Sequence, residues 1–120
     1  MGSVKPQVIW RVTDPTPKRR PVILTRSGYE HIVGHHPELE PHIESLSTII
    51  EQPVMILADK FDADTNLFCS KASDIGASGD LWLRVVAQFD ISDSGEVTTA
   101  YLSSGVPNGD IIWLRPNIKI

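Results

Sequence analysis

Apolar residues follow two different spacings along the chain, and these spacings predict where helices and strands lie. After Pro41, isoleucine and leucine recur every three or four positions until Pro53, which is the period of an amphipathic helix. Upstream, "VIWRV" (8–12) and "VILT" (22–25) are rich in β-branched and aromatic residues and flank a proline-rich turn. Such short segments around a turn indicate two strands near the N-terminus.

A first helix is predicted between the second strand and Pro41. Ser27 is a suitable N-cap, and Glu30 follows three residues later, which is the spacing of a capping box. Gly34 is a typical C-terminal stop. His35 and His36 would therefore lie at or just beyond the end of this helix.

After Pro53 the pattern changes to short apolar segments separated by loops rich in Gly, Asp, Asn and Ser. Loops of this length favour antiparallel connections over helical crossovers. The fold class predicted is α+β, with two N-terminal helices packed on one face of a four- to five-stranded antiparallel sheet. One domain would span residues 1–120, with 1–21 as an N-terminal arm or hairpin and 22–120 as the core. The later strand segments are "VMILADK", "NLFCSK", "LWLRVVAQF", "EVTTAYLSS" and "DIIWLRP".

The charge balance excludes a protein that binds nucleic acid through a general positive field. The chain has a formal net charge of -4, so any site for a polyanion must be local. Lys18, Arg19, Arg20 and Arg26 precede the histidine-rich segment and could form a small positive pocket, although the first three could equally be a solvated turn. The single cysteine, the lack of a signal-peptide pattern and the lack of a long apolar run predict a cytoplasmic protein without membrane contact.

Three of the four histidines, His31, His35 and His36, fall within six consecutive residues. They could be ordinary polar residues at a helix end, where a positive imidazole is favourable. His31 and His35 could instead bind zinc as a helical pair, but the sequence offers no clear third ligand. The third interpretation is acid–base catalysis, because histidine changes charge near neutral pH.

RNA cleavage without metal is the reaction that most naturally uses such a histidine. The 2′-hydroxyl attacks the adjacent phosphorus, a base takes its proton, an acid protonates the leaving 5′-oxygen, and cations stabilise the phosphate. Thr99 and Tyr101 are two apart on a predicted strand and should share a face with Val97, although such residues are also ordinary strand formers. Arg84 in mid-strand requires a solvated or functional face, and Lys71 ends the strand before it.

Several motifs occur in a characteristic order between about residues 22 and 102. "VILTRSGYEHIVGHHPEL" is followed by an amphipathic helix ending "IIEQPVMI", then by "NLFCSK", "LRVVAQF" and "VTTAY". This order resembles the phage-associated branch of the barnase/EndoU/colicin/RelE-like nuclease superfamily. Each motif alone is weak, and the resemblance depends on their order and spacing.

The resemblance implies a helix-plus-antiparallel-sheet domain that cuts RNA without a metal ion or other cofactor, often as a toxin. By position, His31 matches the helix histidine of the family and His36 the histidine of its "HPE" motif. Thr99 and Tyr101 match its "TAY", and Lys71 matches its basic residue after an aromatic. The implied partners are RNA, with tRNA among the candidates, and a cognate inhibitor protein.

The sequence therefore predicts a metal-independent endoribonuclease and leaves the oligomeric state open. The alternative is a non-catalytic binding module that keeps a nuclease-like fold. The net acidity favours this alternative, as do Cys69 and Ser70, which stand where the family has an aromatic. The predicted catalytic residues are His31 as acid or base, Tyr101 or His36 as its counterpart, and Thr99 as a hydrogen-bond donor; the predicted phosphate-binding residues are Lys71, Arg84 and Arg26.

Overall fold

The computed structural model describes residues 7–77 and 79–116, which form two α-helices and a seven-stranded mixed sheet. The α+β class predicted from the sequence is confirmed. Within the described ranges, no helix is long and apolar enough to cross a membrane. The strands are β1 (Val8–Thr13), β2 (Pro21–Thr25), β3 (Met55–Ala58), β4 (Thr65–Lys71), β5 (Trp82–Phe89), β6 (Gly95–Ser103) and β7 (Asp110–Leu114); the helices are α1 (Arg26–His35) and α2 (Ile43–Glu51), and short 3-10 helices span Pro37–His42 and Ala72–Ile75.

The strand order is β1-β2-β6-β5-β4-β3-β7, so the prediction of a four- to five-stranded antiparallel sheet is wrong in the number of strands and in the direction of one pairing. The N-terminal hairpin joins the sheet through a parallel pairing of β2 with β6, at Val22 opposite Gly95 and Ile23 opposite Glu96. The C-terminal strand β7 joins at the other side, where it pairs with β3. Both pairings connect strands that are distant in the sequence, and short loops predict only pairings between consecutive strands.

The first helix begins earlier than the sequence suggests. Its N-cap is Thr25, the last residue of β2, whose hydroxyl oxygen accepts a hydrogen bond from the Gly28 N–H at 3.2 Å. The predicted Ser27 cap is wrong because Thr25 has the extended backbone that an N-cap needs, whereas Ser27 is already helical. The helix also continues one residue beyond Gly34, and His36 is its C-cap.

One large hydrophobic cluster joins both helices to the sheet. Ile32 of α1 and Leu46 of α2 share it with Leu83 and Val85 of β5, and all four are fully buried. Strand residues alternate between faces, so Arg84 lies on the opposite side of the sheet. We call that side the site face; it also carries a smaller buried cluster with Met55, Leu57, Cys69 and Trp82.

The basic residues of the β1–β2 turn contact the far end of β5 and the turn after it. Arg20 Nε donates to the buried carboxylate of Asp14 at 2.6 Å, and the guanidinium lies 3.8 Å from the centre of the Phe89 ring. Lys18 pairs with Asp93 at 3.2 Å. Arg20 and Lys18 therefore attach the β1–β2 hairpin to the end of β5 and the turn after it. They are not part of the predicted positive pocket beside the histidines.

Candidate functional site

Helix α1 lies beside β6, next to the short segment in which β2 pairs with that strand. After two residue pairs with β6, the chain leaves β2 and enters α1. A Cβ atom added at Gly28 would lie 2.9 Å from the carbonyl oxygen of Val97, so this helix turn packs directly against the strand backbone. A side chain at this position would push the helix away from β6.

This packing brings the end of α1 level with Tyr101. The helix and the strand run in the same direction, since Gly28 near the start of α1 lies against Val97, and His36 at its end lies beside Tyr101, further along β6. From Gly28, eight helical residues advance about 12 Å to His36, and from Val97, four strand residues advance about 13 Å to Tyr101. The centres of the His36 and Tyr101 rings are 6.2 Å apart.

Arg84 extends this contact across the sheet. It lies opposite Tyr101 in the β5–β6 ladder, and its Cζ atom is 5.8 Å from the centre of the Tyr101 ring. Its terminal nitrogen donates to the carbonyl of Gly105 at 3.0 Å, whereas its buried Nε has no hydrogen-bond partner among the described residues. An imidazole, a phenol and a guanidinium thus form a continuous series, the His36–Tyr101–Arg84 row.

The neighbour of this row on β4 is Cys69, which lies opposite Arg84. Burial raises the pKa of the Cys69 thiol to about 12, and the nearby Arg84 charge lowers it by less than burial raises it. A thiol that stays protonated at neutral pH is not a nucleophile. Cys69 therefore packs the site face and takes no chemical part in the row.

We expect the native Cys69 thiol to resist modification by a disulfide reagent at pH 8 and to react fully once the protein is unfolded. The unfolded thiol ionises near its ordinary pKa of 9.0, whereas the folded one ionises near 12. The stability that Cys69 contributes is therefore complete below pH 9 and is lost as the pH rises towards 12. Absorbance of the released reagent measures the reaction, and rapid labelling of the native protein would contradict this burial.

Thr99 keeps its predicted side of the sheet, but Val97 does not. The β5–β6 register shifts between Val86 and Ala87, which pair with Thr99 and Val97. Thr98 is the extra residue of this β-bulge, and a bulge changes which residues share a face. The prediction that Val97 points with Thr99 and Tyr101 is therefore wrong, since Val97 is 1% exposed in the cluster shared with the helices.

Lys71 lies at one end of the site face and not in the row. It is exposed at the end of β4 opposite Trp82, which precedes Arg84 by two residues, or about 7 Å of strand. A cavity of about 270 Å³ lies beside it, and its lining includes Ser73 and Asp80. Lys71 could thus contact a polyanion that extends from Arg84 along the sheet.

The other predicted residues lie on the exposed side of α1. The His31 ring contacts that of His35, with ring centres 4.4 Å apart. Arg26 pairs with Glu30 at 3.2 Å, and both side chains are mostly exposed, so this pair contributes little to stability. No group of three or more His, Cys, Asp or Glu side chains in the described ranges could hold a metal ion.

Two partners of the row were not predicted from the sequence. Glu38 Oε1 lies 3.6 Å from His36 Nδ1, close enough to pair with the imidazole when it carries a proton. Its position two residues after His36 in "HPE" was the available signal. The other partner is the backbone carbonyl of Gly105, which accepts a hydrogen bond from Arg84. Every residue has a backbone carbonyl, so the sequence contains no signal for this contact.

The row contains two groups that can give or take a proton, His36 and Tyr101. Beside them it contains a cation, Arg84, that can bind an anion. Such a set matches the needs of a reaction at a phosphate ester. Comparisons of the chain with family models, curated proteins and solved structures find no match. The arrangement of His36, Tyr101 and Arg84 is therefore the observation on which a function is argued.

Proposed function

We propose that this chain is a metal-independent endoribonuclease in which His36 and Tyr101 form the acid–base pair and Arg84 binds the reacting phosphate. The observation that supports this most is the His36–Tyr101–Arg84 row, with separations of 6.2 Å and 5.8 Å. The order of sequence motifs that resembles the barnase/EndoU/colicin/RelE-like superfamily supports it independently. A toxin-like role in the cytoplasm belongs to the same proposal.

The proposed reaction needs no group beyond those in the row and the RNA itself. The 2′-hydroxyl attacks the adjacent phosphorus and loses its proton to one member of the pair, while the other protonates the leaving 5′-oxygen. Arg84 stabilises the negative charge that increases on the phosphate. Glu38 would orient the His36 imidazole, as a carboxylate partner commonly does. The products are a 2′,3′-cyclic phosphate and a 5′-hydroxyl.

Three further side chains would bind RNA on either side of the reacting phosphate. Thr99 precedes Tyr101 by two residues on the same side of β6 and offers a hydroxyl. Lys71 offers an ammonium group at the end of β4. His31, with its ring partner on the exposed side of α1, would contact the backbone there. Since the net charge is -4, affinity would come from such local contacts and not from a general field.

The test is incubation of the purified chain with total RNA and with tRNA in excess chelator, followed by mapping of the new ends. Cyclic phosphates and 5′-hydroxyls on discrete fragments are the expected result. Intact RNA after incubation with equimolar protein would refute the proposal. A cognate inhibitor protein, if one covers the row, would abolish the cleavage at a one-to-one ratio.

A non-catalytic binding module is the second candidate, and one contact favours it. Arg84 already donates to the Gly105 carbonyl, so this cation is partly engaged before any phosphate arrives. The binding-module hypothesis predicts that RNA stays intact in the assay above, with the parent chain and with Arg84→Ala alike. Cleavage that depends on Arg84 would exclude this candidate.

A further inference from the structure

Strand β7 ends the described sheet with an apolar edge. It comes last in the strand order and pairs only with β3 among the described strands. No described strand pairs with the outer side of β7. Ile111, Ile112 and Leu114 are large apolar residues with 51%, 47% and 42% of their surface exposed. An open edge with apolar side chains is a typical site of strand pairing.

The opposite edge of the sheet has a charged residue in the middle of its strand, and β7 does not. Strand β1 has the exposed charge of Arg11 at its centre, and its Trp10 is buried and donates to the Ile43 carbonyl of the helix layer. Charged residues in mid-strand are a common protection of sheet edges. In β7 the only charge is Asp110, at the first position.

The middle of β7 is also incompletely paired with β3. The register shifts so that Ile111 lies opposite Leu57 and Trp113 opposite Ile56, which leaves Ile112 without a partner on β3. An extra residue of this kind is left out of the ladder. Ile112 is therefore outside the β3 ladder, and 47% of its surface is exposed.

The charges around β7 favour one occupant of this edge, a second copy of the chain. Asp110 begins the strand, and Arg115 follows it directly. Arg115 is held there because its guanidinium donates to the carbonyls of Gln52 and Pro53. In an antiparallel pair with Ile112 opposite Ile112, each Asp110 lies opposite Leu114 and one residue away from the Arg115 position of the other copy. A strand with an acid at its start and a base at its end is thus complementary to itself.

We propose that two copies of this chain associate through antiparallel pairing of their β7 strands, which joins two seven-stranded sheets into one. A closed homodimer has a two-fold axis. In this dimer the axis would pass near Ile112, the middle residue of β7. Because β4 and β3 separate β7 from β5 and β6, the interface leaves the His36–Tyr101–Arg84 row open. The proposal does not depend on the proposed function.

The first test is the mass in solution over a range of protein concentrations, by light scattering and sedimentation. We expect the parent chain to reach twice its monomer mass as the concentration rises. Ile112→Lys brings two like charges together at the axis and should weaken association by about tenfold or more. The matched control is Val8→Lys, at a residue 42% exposed on β1, which should associate as the parent does. A parent chain that stays monomeric at millimolar concentration, or an Ile112→Lys dimer as strong as the parent, would overturn the proposal.

The second test is cross-linking through a single new thiol. The chain has one cysteine, and it is buried, so the thiol of Ile112→Cys would be the accessible one. Under mild oxidation, Ile112→Cys should form a disulfide-linked dimer much faster than Val8→Cys does. Equal rates for the two variants would place the interface elsewhere.

Discussion

Replacing His36 with alanine should slow RNA cleavage by about 10²- to 10⁴-fold, which is the range that general acid–base catalysis contributes. The imidazole contacts the Tyr101 ring, and no other histidine ring does so within the described residues. Its removal deletes one member of the proposed acid–base pair. The rate of fragment formation in excess chelator is the measurement, with equal folded fractions established by circular dichroism.

Three variants make this prediction selective. His42→Ala removes the one histidine outside the cluster, at the end of the 3-10 helix before α2, and should leave the rate within about twofold of the parent. Tyr101→Phe keeps the ring and loses the hydroxyl, so it should slow cleavage in the same range as His36→Ala if the phenol transfers a proton. Parent-like cleavage by folded His36→Ala would refute the assignment of the pair. Parent-like cleavage by His31→Ala would show that His31 is not needed for cleavage, and it would leave the assignment of His36 and Tyr101 unchanged.

Replacing Phe68 with alanine should lower the free energy of unfolding by about 3–5 kcal/mol, the usual cost of removing a large buried aromatic side chain. Phe68 is fully buried in the cluster that joins both helices to the sheet, and its ring centre is 6.4 Å from that of Phe89. A loss of that size is a large part of the about 5–15 kcal/mol that stabilises a typical domain. Denaturant titration of parent and variant measures the difference.

Phe61 is the matched control for Phe68. It is the same residue type in the β3–β4 loop, and it is 90% exposed. Phe61→Ala should change the free energy of unfolding by no more than about 0.5 kcal/mol, as is usual for a surface substitution. Similar losses for Phe61→Ala and Phe68→Ala would contradict the burial on which the core assignment depends.

The type and order of most elements could be predicted because their signals are local. The helical spacing of Ile43, Leu46, Ile49 and Ile50 corresponds to α2, and all four are buried. The short apolar segments after Pro53 correspond to β3 through β7. Helix periodicity and turn residues act over a few positions, so a single sequence contains them. The start of α1 was misplaced because Thr25 and Ser27 are both good caps, and only the path of β2 selects Thr25.

Pairings between distant segments could not be predicted in this way. The parallel contact of β2 with β6 and the antiparallel contact of β3 with β7 leave no local signal. The bulge at Thr98 is of the same kind, because an extra residue in a ladder is defined only against its partner strand. These features determined the size of the sheet and the side on which Val97 lies.

For the candidate site, the sequence by itself supplied the residue types: a cluster of imidazoles on the first helix, a phenol on a late strand and an arginine in an apolar strand. Only the tertiary structure decided that His36, and not His31, contacts Tyr101. The physical reason is the length of helix that follows the close contact of Gly28 with Val97. That contact fixes how far α1 extends along β6, and the helix reaches the level of Tyr101 at its C-cap.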